Sequence, residues 1–100
     1  KIYAVNYAGG SVTVIDGSRE TVTATIPVGK LPQAIAIDTK RHRIFVTGTH
    51  DHYVTVIDGV RDTVSKALRV EGNPYALAVD EATGNVYSAG LAGKVAILHP

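Results

Sequence analysis

An all-β chain assembled from a repeated four-stranded antiparallel unit is what this sequence predicts, and three observations predict it. About a third of the 100 residues are Val, Ile or Thr, types whose branched Cβ suits a pleated strand and crowds a helix. Short apolar runs such as AIAI (34 to 37) and VTVI (54 to 57) are bounded by Asp, Gly and Pro, the residue types that punctuate strands. The chain also repeats itself at an interval of 42 residues, and a fixed period of that size marks a stacked or ring-like architecture.

The repeat can be read directly. SVTVIDGSRETV (11 to 22) falls on YVTVIDGVRDTV (53 to 64), and PQAIAID (32 to 38) falls on PYALAVD (74 to 80). KIYAV (1 to 5) falls on RIFVT (43 to 47) and again on NVYSA (85 to 89). Residues 1–42 share 15 identities with 43–84 without a gap, far more than unrelated segments share, so the chain arose by duplication. GLAGKVAILHP, near the end, aligns with NYAGGSVTVIDG when one residue is dropped from the turn.

Taken in order, the complete unit has strand A at 33–38, B at 43–49, C at 53–58 and D at 63–70. Strand A alternates small alanines with Ile and ends at Asp38. B and C are β-branched and apolar on both faces, as a sheet covered on both sides requires. D follows the turn DGVRDT. Residues 1–28 supply only B, C and D, residues 32–70 supply all four, and 74–98 supply A, B and C. Four antiparallel strands per 42-residue unit, packed between like units, describe the blade of a β-propeller. The alanines suit the innermost strand, where blades converge.

Closed propellers take about four to eight blades, and 100 residues hold about 2.4 units of 42. The phase argues against three copies completing a ring as a self-assembling protein, because the two ends together supply B and C twice but A and D once. The expectation is an open fragment of a larger propeller, with apolar blade faces available for self-association. The chain begins at Lys1 without a methionine, which fits a processed or excised piece.

Composition narrows the function. A net charge of +1 provides no electrostatic footprint for nucleic acid. No apolar run approaches the roughly 18 residues of a membrane span, so no membrane insertion is expected. Without cysteine, disulfides and thiolate metal sites are excluded. No nucleophile elbow, phosphate loop or dinucleotide fingerprint occurs, and no cofactor is implied by the residues.

The run Ile44-Phe45-Val46-Thr47, the segment Val54-Thr55-Val56-Ile57-Asp58-Gly59, the pair Thr63-Val64 and the Pro-x-Ala-x-Ala-x-Asp strand together resemble the YVTN family of β-propeller repeats. The likeness covers essentially the whole chain. The family's signature reads Phe45-Val46-Thr47-Gly48 and Tyr3-Ala4-Val5-Asn6 here. The resemblance implies a surface-layer or extracytoplasmic setting, and related propellers carry cofactors in some redox enzymes.

Candidate functional residues are those that break the repeat. His50-Asp51-His52 occupies the B–C turn, where the first unit has Ala8-Gly9-Gly10 and the third has Ala92-Gly93. In the usual blade topology the B–C and D–A loops share one rim, which places this segment near Gln33 and Tyr75. Histidines at i and i+2 suit zinc or copper, but zinc takes three or four ligands and neither neighbouring turn supplies one. His99 falls at the register of Asp16 and Asp58, on the opposite rim. The segment therefore reads as a polar turn or a contact in a binding rim, with no metal site assigned.

Asp16, Asp58, Asp38 and Asp80 recur in register and read as turn formers. TKRHR (39 to 43) is a local basic stretch and reads as a solvated turn. The functional expectation is a non-catalytic binding or scaffolding module, with His50, His52, Gln33 and Tyr75 as candidate contacts. Two alternatives remain: the wall of a larger metal- or cofactor-dependent propeller enzyme, and a purely structural surface-layer repeat.

Overall fold

Within each sheet every strand pairs with its neighbours in sequence, so no sheet contains a crossover. The computed structural model describes residues 1–29, 31–48, 52–70, 73–90 and 93–100, and among them there are ten strands and no helix. These are β1 (Ile2–Asn6), β2 (Ser11–Asp16), β3 (Thr21–Pro27), β4 (Pro32–Asp38), β5 (Arg43–Gly48), β6 (Tyr53–Asp58), β7 (Thr63–Arg69), β8 (Pro74–Asp80), β9 (Asn85–Gly90) and β10 (Val95–Leu98). They form three antiparallel sheets, β1-β2-β3, β4-β5-β6-β7 and β8-β9-β10. Strand ends differ from the sequence expectation by a residue: β5 stops at Gly48 and β7 at Arg69.

Four of the turns, those after β2, β4, β6 and β8, are held by the aspartate that precedes them. Asp16 Oδ1 accepts from the amides of Ser18 and Arg19, and Asp58 Oδ1 from those of Val60 and Arg61. Asp38 Oδ1 does the same with Lys40 and Arg41, and Asp80 Oδ1 with the Ala82 amide. This is Asx-turn chemistry, in which a short carboxylate mimics a backbone carbonyl.

The core lies between the sheets. One cluster joins Val12, Val14 and Ile26 of the first sheet to Ile44, Val46 and Ile57 of the second. The other joins Phe45, Val54 and Val56 of the second sheet, with Val70 just beyond β7, to Val86 of the third. The alternation explains this: Ile44 and Val46 point one way along β5, and Phe45 and Thr47 the other. The middle sheet is thus buried on both faces, as its run of apolar residues requires.

The same register positions show what the outer faces lack. Val12 and Val14, like Val54 and Val56, are wholly buried, whereas their equivalents Val95 and Ile97 are 67% and 54% exposed. At the other end Ile2 is 52% exposed, while Ile44 and Val86 at its register are buried.

Four β-bulges recur in pairs. Thr23 in β3 and Ser65 in β7 are the extra residues against Val14/Ile15 and Val56/Ile57. Their hydroxyls donate to the carbonyls of Val14 and Val56 at 3.3 and 3.1 Å. Gln33 in β4 and Tyr75 in β8 are the extra residues against Gly48/Thr47 and Gly90/Ala89.

Candidate functional site

The β1–β2 turn, its counterpart before β6, and the connectors that follow β3 and β7 meet on one rim, and repeated backbone bonds bring them together. The Val28 amide donates to the Gly10 carbonyl at 3.0 Å, and at the same register Val70 donates to His52 at 2.8 Å. Gly10 (φ 64°) lies so close to Gly29 that an added Cβ would stand 2.6 Å from the Gly29 carbonyl. Glycine is therefore required there by both conformation and space. A cleft of about 430 Å³ opens beside this contact, lined by Ala8, Gly9, Gly10, Gly29 and Leu31.

Gln33, His52 and Tyr75 all reach this rim. The bulges turn Gln33 and Tyr75 outward from strands whose next residues are half-buried, and Tyr75 is 43% exposed. His52 is exposed, and beside it the Arg69 guanidinium lies 6.0 Å from the centre of the Tyr53 ring. His50 falls outside the described residues. Among the described residues no three His, Asp or Glu side chains are placed to share a metal ion. His99 sits on the opposite rim, with Nδ1 2.9 Å from Asn85 Oδ1.

The opposite rim was read from the sequence as solvated turns, and the structure gives it a different role. Arg41 Nη1 donates to Asp38 Oδ2 at 3.0 Å and to the Glu81 carbonyl at 3.1 Å. Glu81 Oε1 accepts from the Thr39 amide and, at short range, from the Thr39 hydroxyl. Arg43 reaches the Gly84 and Pro100 carbonyl oxygens, while its guanidinium lies 5.7 Å from the Phe45 ring centre. The basic stretch TKRHR is thus tied into the neighbouring sheet.

Asp38 is fully buried at this rim. Burial opposes its charge, but the Arg41 guanidinium and the Arg41 and Lys40 amides outweigh it and hold the carboxyl below its ordinary value. Glu81 is likewise lowered, by the Thr39 hydroxyl and amide.

A second cleft, of about 400 Å³, lies on this side between the first and second sheets. Lys1, Tyr3, Ile37, Asp38, Thr39, His42, Ile44 and Gly59 line it. Lys1 Nζ donates to the Gly59 carbonyl at 2.7 Å and pairs with Asp62 at 3.0 Å. Lys1 and Tyr3 stand at the registers of Arg43 and Phe45, so the sequence signal was a cation and an aromatic recurring at the start of strand B.

Three antiparallel sheets stacked face to face, each offset by 42 residues from the last, settle the architecture. These are β-propeller blades. Solved structures agree. The chain is similar to a hydrazine synthase of Kuenenia stuttgartiensis, with a TM-score of 0.82 and 25% identity over 88% of this chain and 25% of that one. It is also similar to the WD40 β-propeller domain of Doa1, with a TM-score of 0.78 and 13% identity over 90% of this chain and 30% of that one. The chain thus spans between a quarter and a third of the length of these two structures. No family model and no curated protein matches the sequence. No helix among the described residues is long and apolar enough to cross a membrane.

Proposed function

We propose that the chain is a section of a YVTN-type β-propeller that acts as a non-catalytic binding or scaffolding module, presenting one loop rim to a protein or small ligand. The observation that carries this reading is the pair of bulges at Gln33 and Tyr75. An extra residue in each inner strand turns a side chain out of the sheet at the same rim in two successive blades. Bulges of this kind commonly re-aim side chains at binding edges. The cleft at Ala8–Gly10, Gly29 and Leu31 opens on that rim too.

His52 adds a polar contact on the same rim, and the sequence makes its near neighbour His50 a further candidate contact. An extracytoplasmic setting follows from the family resemblance.

Amide-shift mapping of the chain against a peptide and small-ligand library tests the proposal. Hits are expected at Gly9, Gly10, Gly29, Leu31, Gln33, His52 and Tyr75, and to weaken in Gln33→Ala and Tyr75→Ala. Hits gathered instead around Lys1, His42 and Asp38 would refute the rim assignment.

A further inference from the structure

The core between the second and third sheets differs in chemistry from the one before it. Phe45 and Thr47 share a face of β5, and Phe45 packs with Val86 of β9, so Thr47 looks toward the third sheet. Ser88, two residues beyond Val86, looks back toward the second. Both are buried, Thr47 wholly and Ser88 to 3% exposed. One repeat earlier the same registers hold Val5 and Val46, which belong to a single apolar cluster. Thr47 Oγ1 has no hydrogen-bond partner among the described residues, a condition that folded proteins rarely leave a buried hydroxyl in.

A carbonyl joins the two hydroxyls. In the first junction Thr55, paired with Val46, donates its hydroxyl to the Val28 carbonyl at 3.3 Å. In the second, Ala96 pairs with Ser88 in its place, and alanine has nothing to donate to the carbonyl of Val70, a residue only 4% exposed. Serine in place of Val46 and alanine in place of Thr55 are both smaller, so space widens where the polar groups gather. A buried water needs that combination, room together with about two to four polar partners.

We propose that the junction between the second and third sheets binds one water molecule, bridging Thr47 Oγ1, Ser88 Oγ and the Val70 carbonyl. The water accepts from Thr47 and donates to Ser88 and to Val70. It thereby takes over the part that the Thr55 hydroxyl plays one repeat earlier. Val70 follows β7, and its amide donates to the His52 carbonyl at 2.8 Å. The water therefore fastens the connector that leads onto the rim to the core strands β5 and β9. The site is independent of the loop-rim assignment, since it lies in the core and uses no rim side chain.

The test records water–protein cross-relaxation by NMR in the full 100-residue chain. A long-lived water is expected to give cross-peaks to the Thr47 methyl group and the Ser88 amide, with the sign of a bound rather than a bulk molecule. Ala96→Thr, which copies Thr55 and supplies a hydroxyl to the Val70 carbonyl, should abolish both. Urea unfolding adds a readout that simple packing does not give. Thr47→Val, which copies Val5, should lower the urea midpoint of the parent chain, where it strips a partner from the water. In Ala96→Thr the same change should raise the midpoint, because there the Thr47 hydroxyl has lost its partner. Absent cross-peaks in the parent chain, cross-peaks that persist in Ala96→Thr, or a Thr47→Val shift of one sign in both backgrounds would each overturn the proposal. The rim titration reads other residues, so either proposal can fail alone.

Discussion

The two junctions between sheets are built on one plan and finished differently. In each, a cation at the start of strand B reaches across to the turn of the next sheet: Lys1 to the Gly59 carbonyl, and Arg43 to the Pro100 carbonyl oxygen. In each, an aromatic two residues later points into the core, Tyr3 in the first and Phe45 in the second. The second junction adds a polar lock, Thr39 to Glu81, Arg41 to Glu81 and Arg43 to Gly84. It can do so because both of its sheets carry an inner strand and the turn that follows it. Among the described residues the first junction shows that turn on the second sheet only. Inner strands therefore do more than pave the centre of the fold, since their exit turns fasten successive sheets.

The most severe way to break the comparison is to empty the better-finished junction. Phe45→Ala removes the largest fully buried side chain and should cost about 3–5 kcal/mol, measured by urea unfolding. Tyr3→Ala, at the half-buried equivalent, should cost clearly less. Equal losses would mean that the junctions share their load evenly.

Asp38 sharpens the contrast electrostatically. Replacing Asp38 with Asn leaves an oxygen for the Lys40 and Arg41 amides but removes the charge and sets an NH2 group against the Arg41 guanidinium, at a cost of about 1–2 kcal/mol. Its folded carboxyl sits below the unfolded value of 3.8, so the unfolded chain takes up protons first as acid is added. The stability from this group is full above that value and is lost as pH falls through the folded one. The parent protein should therefore lose stability below about pH 4, and Asp38→Asn should lose less over the same interval. Identical pH profiles would remove Asp38 from the account.

The smallest effect concerns His42, which holds φ 53° where the next repeat has Gly84 at φ 81°. His42→Gly relieves the left-handed cost but adds chain entropy, for a net gain of about 0.5 kcal/mol. A loss instead would show that the His42 side chain supports the cleft between the first and second sheets.

Much of this was legible in the sequence, because duplication writes local signals twice. Asp16-Gly17 and Asp58-Gly59 marked their turns, and Pro32 and Pro74 marked the inner strands. The apolar runs of the middle unit announced a sheet buried on both faces. What stayed hidden depends on partners far along the chain. Arg41 and Arg43 looked like a solvated basic turn because Glu81 and Gly84 lie about forty residues away, at a register no local pattern encodes. The bulges were equally silent: Thr23 and Ser65 sit in strand-like sequence, and only the cross-strand register shows that they are extra. For the rim, Gly9 and Gly10 read only as the turn that His50-Asp51-His52 replaces, although the close approach of Gly10 to Gly29 borders the cleft.

The bulges at Gln33 and Tyr75 have a consequence for how such a molecule changes over time. A residue inside a strand answers to the sheet's alternation, and its replacement disturbs a neighbour. The extra residue of a bulge answers to neither face. Each copying of the unit thus delivers one more position whose chemistry can be rewritten without touching the core. Along one edge the protein carries two such positions, on inner strands that pack alongside one another. A partner reading both at once must carry features that repeat in step with them.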